Sequence, residues 1–221
     1  MRRESSTVVV LVGEVDDGLL AGLARSPNVG VARAPAAGTG QQAASKPAGS
    51  EPAPARPGWE PGAVAMREAA RRRSMYVIVP DDPLADVAAG WQAMWEVGGS
   101  QGAAGFEQSA ADALAAWRAK RFELPDYYLV MAPAQPGGRG PDLYLGPLRA
   151  ACPRRVAIAG IAGSADQPAR LLGTLGSLPH GPWWPPLDVL IDTARRFYAG
   201  GLAETQQPSQ MALPGVALKR T

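Results

Sequence analysis

The sequence predicts a three-layer α/β/α domain, with helices on both faces of a five-stranded, mostly parallel sheet in a flavodoxin-like or Rossmann-like order. Two observations predict it. Five short runs rich in valine, isoleucine and leucine carry no polar face, as expected of strands covered on both sides. Between them lie segments whose apolar residues recur at helical spacing, and alternation of the two kinds is the signature of strand-helix-strand units.

The first strand is "TVVVLVG" (7–13). The helix after it is capped by Asp16 or Asp17, sets Leu19, Leu20 and Leu23 on one side, and stops at "RSPN". "NVGVARA" (28–34) is a weaker strand near an edge, because its glycine and arginine suit a central position poorly. Residues 34–63 are rich in proline, alanine and glycine and contain a single aromatic, Trp59. Such a stretch cannot bury enough apolar area to offset the entropy of ordering it, so it is expected to be a disordered insertion. "GAVAMREAARRR" (62–73) is a helix whose last turn sets Arg71, Arg72 and Arg73 against the negative end of its dipole.

"SMYVIVP" (74–80) is the third strand, and "DDPLADVAAGWQAMWEV" then places Leu84, Val87, Trp91, Met94 and Trp95 on one helical face. After a glycine-rich break at 98–105 a second helix, 106–122, buries Phe106, Ala110, Leu114 and Trp117. "PDYYLVMAP" (125–133) and "RRVAIAGIAG" (154–163) are strands four and five, joined through a turn or short helix at "LGPLRAA". A helix from 167 to 175 follows. The last one, with Leu187, Leu190, Ile191, Ala194, Phe197 and Tyr198 on its apolar face, is punctuated by Gly200 and Gly201. Residues 1–33 and 64–204 thus form one domain, interrupted by the insertion 34–63 and followed by a flexible tail, 205–221.

Composition narrows the function. A net charge of +2 provides no field that implies nucleic acid, and the paired arginines read as a dispersed, solvated surface. The one cysteine, Cys152, excludes an internal disulfide and a thiolate zinc site. No apolar run is long enough to span a bilayer, and the N-terminal run meets acids before any cleavage motif, so a cytoplasmic protein without membrane contact is expected. His180 is the single histidine, in a proline-rich loop where a structural hydrogen bond suits it better than catalysis. No serine sits in a GxSxG elbow.

The acids at two strand exits pose the sharpest question. "VLVGEVDDGLL" (10–20) holds Glu14, Asp16 and Asp17, with two glycines where a phosphate-binding loop might stand, and "YVIVPDDPLADV" (76–87) holds Asp81 and Asp82. If the strand order is 2-1-3-4-5, the first and third strands are central neighbours, and these five acids rim the crevice in which open α/β sheets take ligands. Facing one another, they could ligate Mg²⁺ for phosphoryl hydrolysis. As helix caps they need no ligand at all. Neither GxxxxGK[ST] nor GxGxxG occurs, and strand five ends without the lysine of a receiver domain. The loop at Gly160, Gly163 and Ser164, with Arg170 one turn into the helix, can cradle an anion. Trp183 and Trp184, between prolines, can anchor a partner or cap the core. The expected function is a non-catalytic or regulatory module that binds a partner protein or small ligand at the carboxyl edge of the sheet, without a cofactor. The alternative is a Mg²⁺-dependent phosphoryl hydrolase or nuclease. The oligomeric state is not encoded in these patterns.

Overall fold

A computed structural model describes residues 6–35, 58–132, 142–161 and 166–206. Five parallel strands form one sheet: β1 (Thr7–Val12), β2 (Val29–Val31), β3 (Tyr76–Val79), β4 (Tyr127–Ala132) and β5 (Val156–Ile161). Among the described residues, seven α-helices accompany them: α1 (Asp17–Ala24), α2 (Trp59–Ala69), α3 (Ala85–Val97), α4 (Gly99–Arg118), α5 (Arg149–Ala151), α6 (Gln167–Gly176) and α7 (Leu187–Gln206). A π-helical turn, Tyr144–Leu148, precedes α5.

The three-layer architecture is the expected one, but the strand order is 2-3-1-4-5 and not 2-1-3-4-5. β1 and β3 remain parallel neighbours, with Val8 opposite Val77 and Val10 opposite Val79. What changes is β1's other side, which pairs with β4 through Val10 and Tyr128. The second strand lies at the edge, as its weak composition implies, separated from β1 by β3.

Strand alternation feeds two cores. Val8, Val10, Val77, Val79, Tyr128 and Val130 pack on α2, α3, α4, the π turn and α7. Val9, Leu11, Ile78, Leu129 and Met131 point the other way, onto α1 and α6. Because side chains alternate with period two, a strand sandwiched between helices must be apolar at every position, and residues 8–11 are. Of the three central strands, β1 alone sends its chain to the α1 face, while β3 and β4 turn to the opposite one. The connections therefore diverge at β1's carboxyl end, the kind of position at which open α/β sheets take ligands.

Several boundaries differ from the sequence expectation. Helix α2 begins at Trp59, inside the stretch assigned to the insertion, because Trp59 stacks on Phe122 and Ala63 is buried. Residues 36–57 of that stretch lie outside the described residues. The glycine-rich break narrows to Gly98, and α4 starts at Gly99, since close packing against α3 outweighs the poor helix propensity of the small residues there. Helix α7 runs through Gly200 and Gly201 to Gln206, and the tail beyond it lies outside the described residues.

Candidate functional site

At the β1 exit, Asp16 is the N-cap of α1. Its Oδ1 accepts from the Leu19 amide at 2.6 Å, so its carboxylate itself serves as the anion that the helix N-terminus favours. Asp17 is exposed and pairs with Arg33 at 2.7 Å, tying α1 to the chain leaving β2. Glu14 is exposed. The two glycines have their own reasons. Gly13, at φ +115°, lies where a Cβ would come within 3.0 Å of the Met131 carbonyl oxygen on β4, and a Cβ on Gly18 would sit 3.2 Å from Asp16 Oδ1. The two residues after Gly18, where a phosphate loop carries lysine and serine or threonine, are Leu19 and Leu20, both buried in the α1 core.

The β3 exit is built differently. Asp81 turns sideways and accepts from the Ala34 amide at 2.8 Å, holding the end of β2. Asp82 turns inward. Oδ1 accepts from the Leu84 amide at 2.9 Å and from the Tyr128 hydroxyl at 3.1 Å, and Oδ2 accepts from the Tyr144 hydroxyl. One carboxylate thus joins β3, β4 and the π turn. Burial pushes its pKa up to about 6, against the three hydrogen bonds that pull it down. The same burial, reinforced by the Asp82 charge, holds the Tyr128 and Tyr144 hydroxyls well above the ordinary phenol range.

The five acids therefore rim neighbouring strand ends without sharing one focus. Among the described residues, no group of three histidines, cysteines, aspartates or glutamates gathers as a metal would require. At the β5 exit, Gly160 takes φ +106° and Arg170 lies exposed on α6, whose N-cap position is occupied by Asp166. Gly163 and Ser164 lie outside the described residues.

The two tryptophans are at the opposite end of the sheet, and they divide the roles between them. Trp184 is buried, donates its Nε1 proton to the Pro125 carbonyl at 2.6 Å, and meets Tyr128 edge to face at 5.6 Å. Trp183 is 55% exposed. Beneath it lies Arg155, whose guanidinium stands 5.0 Å from the ring centres of both Trp183 and Tyr127. The same guanidinium donates to the carbonyls of Gly181 at 2.9 Å, Pro182 at 2.8 Å and Asp126 at 3.2 Å. A cleft of about 230 Å³ beside the pair is lined by Trp117, Leu124, Pro185 and Pro186. Pro125 and Asp126 precede β4 and Arg155 precedes β5, so this surface lies at the amino edge, not the carboxyl edge where partner binding was expected.

Sequence reasoning missed Arg155, Tyr128 and Tyr144. A tyrosine in an otherwise aliphatic strand was a faint signal for a buried polar partner, whereas nothing local to "CPRRV" distinguishes the keystone Arg155 from Arg154, which is exposed and donates to the His180 carbonyl at 3.0 Å. Cys152 is buried, which pushes its thiol pKa up and fits a small hydrophobe.

Fold and site together define a three-layer α/β protein with an acid-rimmed carboxyl edge and an aromatic surface, stacked on Arg155, at the amino edge. No family model matches the chain, and neither does any curated protein or solved structure. Among the described residues, no helix is long and apolar enough to cross a membrane.

Proposed function

We propose that this domain is a non-catalytic module that binds a partner protein through the amino-edge surface centred on Trp183. The observation that carries the reading is an exposed tryptophan held in place before any partner arrives. Prolines 182 and 185 flank the tryptophan pair, and Arg155 stacks under Trp183 while bonding to the loop's own carbonyls. An exposed, preorganised aromatic loses little entropy on binding and buries a large apolar area, which are the properties of an interface hot spot. The adjoining cleft offers apolar walls for a neighbouring side chain.

The carboxyl edge favours this reading over Mg²⁺-dependent hydrolysis. Both oxygens of Asp82 are already engaged by an amide and two hydroxyls, so its carboxylate serves to join β3, β4 and the π turn and offers a metal little of its acceptor capacity. Asp16 and Asp81 each place one carboxylate oxygen on a backbone amide, which accounts for both without a ligand.

The test separates the two tryptophans. With a photoreactive residue at position 182, irradiation in cells is expected to give a discrete adduct with one protein. Trp183→Ala should abolish that adduct while costing about 1–2 kcal/mol, as for a half-exposed ring that gives up its stacking on Arg155. An adduct that survives Trp183→Ala refutes the reading. Trp184→Ala, by contrast, should cost about 3–5 kcal/mol as a core truncation.

A further inference from the structure

We infer a second binding site, separate from the Trp183 surface: a cationic cleft between the exit of β2 and helix α2 that takes a compact ligand carrying two or more phosphoryl groups. The cleft encloses about 420 Å³ and is lined by Arg33, Arg67, Arg71 and Arg72, with Val64 and Glu68. That volume lies in the range of small-molecule sites.

The arginines come from two elements. Helix-end charge compensation accounts for Arg71 and Arg72, which follow the last turn of α2. It does not account for Arg33, which arrives from the far side on the chain leaving β2, nor for the concavity between them. Their neutralisation is incomplete. Arg33 pairs with Asp17 outside the cleft at 2.7 Å, and Arg71 and Arg72 share the single carboxylate of Glu68 at 3.6 and 3.5 Å. Arg67 donates to a neutral acceptor, the Arg121 carbonyl, at 3.2 Å. Among the described residues, four guanidinium groups thus meet two carboxylates.

The chemistry of the lining selects the ligand class. Every cation is arginine, whose planar fork binds phosphate or carboxylate oxygens in pairs, and the excess charge calls for at least two anionic groups. No aromatic ring lines this cleft to stack a base, so recognition rests on the phosphoryl groups themselves, whether free or carried by a nucleotide. A nucleic acid would need a longer track of cations, and the chain's net charge of +2 provides no long-range field for one.

Titration calorimetry on the full chain tests this at constant ionic strength, with inorganic pyrophosphate, ADP, monophosphate, sulfate and a single-stranded oligonucleotide. Pyrophosphate and ADP are expected to bind alike and at least tenfold more tightly than monophosphate or sulfate. Arg33→Gln/Arg67→Gln should weaken pyrophosphate at least tenfold with an unchanged melting profile, and Arg149→Gln, away from the cleft, should not weaken it. ADP tighter than pyrophosphate would show that a base is read, and would overturn recognition by phosphoryl groups alone. No heat with pyrophosphate, equal binding of sulfate, an unaffected double variant or tighter oligonucleotide binding would each overturn the proposal. None of these outcomes touches the cross-link at residue 182, so the two sites stand or fall separately.

Discussion

The two acidic junctions look alike as text and differ as chemistry. After β1, Asp16 and Asp17 remain at the surface and do local work, one capping its own helix and one pairing with Arg33. After β3, Asp81 and Asp82 reach across the molecule to Ala34, Tyr128 and Tyr144, residues 47, 46 and 62 positions away. The difference lies in what surrounds each exit. β1 turns to the face that, among the described residues, α1 and α6 cover, where the first turn of α1 projects to solvent. The chain leaving β3 turns to the thicker face, beneath β4's Tyr128 and the π turn. Burial converts an ordinary cap into a bolt between elements, and it also makes the carboxylate expensive to ionise.

That contrast predicts the largest effect at Asp82. Its pKa in the folded protein is raised, so the protonated form favours the native state. Its contribution is fully present below the unfolded value of 3.8 and is lost as pH rises through about 6. Integrated over that window, wild type should lose about 3 kcal/mol that an uncharged residue at this position would keep. Denaturation of wild type and Asp82→Asn between pH 4 and 7 is the measurement, and the variant should gain on wild type as pH rises to about 6 and then hold that gain. A stability difference that stays constant over this range would show that Asp82 is not desolvated and would erase the distinction between the junctions. Acid-side controls need care, because Arg195 holds Glu107 below its usual range, a contribution of the opposite sign that is lost as pH falls. Comparing variant with wild type at each pH cancels it.

How much of this was legible in the sequence follows from range. The apolar runs at 7–12, 76–79, 127–132 and 156–161 identify themselves as buried parallel strands, because composition and period are local properties. The cap at Asp16 is equally local, three residues from the amide it satisfies. That β1 and β3 are neighbours was legible from the expected topology, but that β3 lies between β2 and β1 was not, since nothing in either strand records on which side of it the other lies. Asp81 and Asp82 could be read as acids at a strand end, but their partners come from β2, β4 and the π turn, and only folding brings these together. Arg155 is the extreme case. A residue that belongs by its letters to a solvated pair becomes the buried support of Trp183 because the 180–186 loop folds over it.

A smaller effect sharpens the comparison from the other side. Asp16 acts through one hydrogen bond to the Leu19 amide, at an exposed position where solvent screens its charge. Asp16→Ala should therefore cost about 1 kcal/mol, the usual loss of an N-cap, while Asp16→Asn should cost only a few tenths, because asparagine caps equally well and forfeits only the dipole interaction. Asp17→Asn, which weakens an exposed ion pair with Arg33, should lie below both Asp16→Ala and any effect at Asp82. Urea denaturation at pH 7 resolves the first of these and bounds the others. If Asp16→Asn proves as damaging as Asp16→Ala, the position requires negative charge and not merely an acceptor. The β1 junction would then have to be reconsidered as an electrostatic site and no longer as a helix cap.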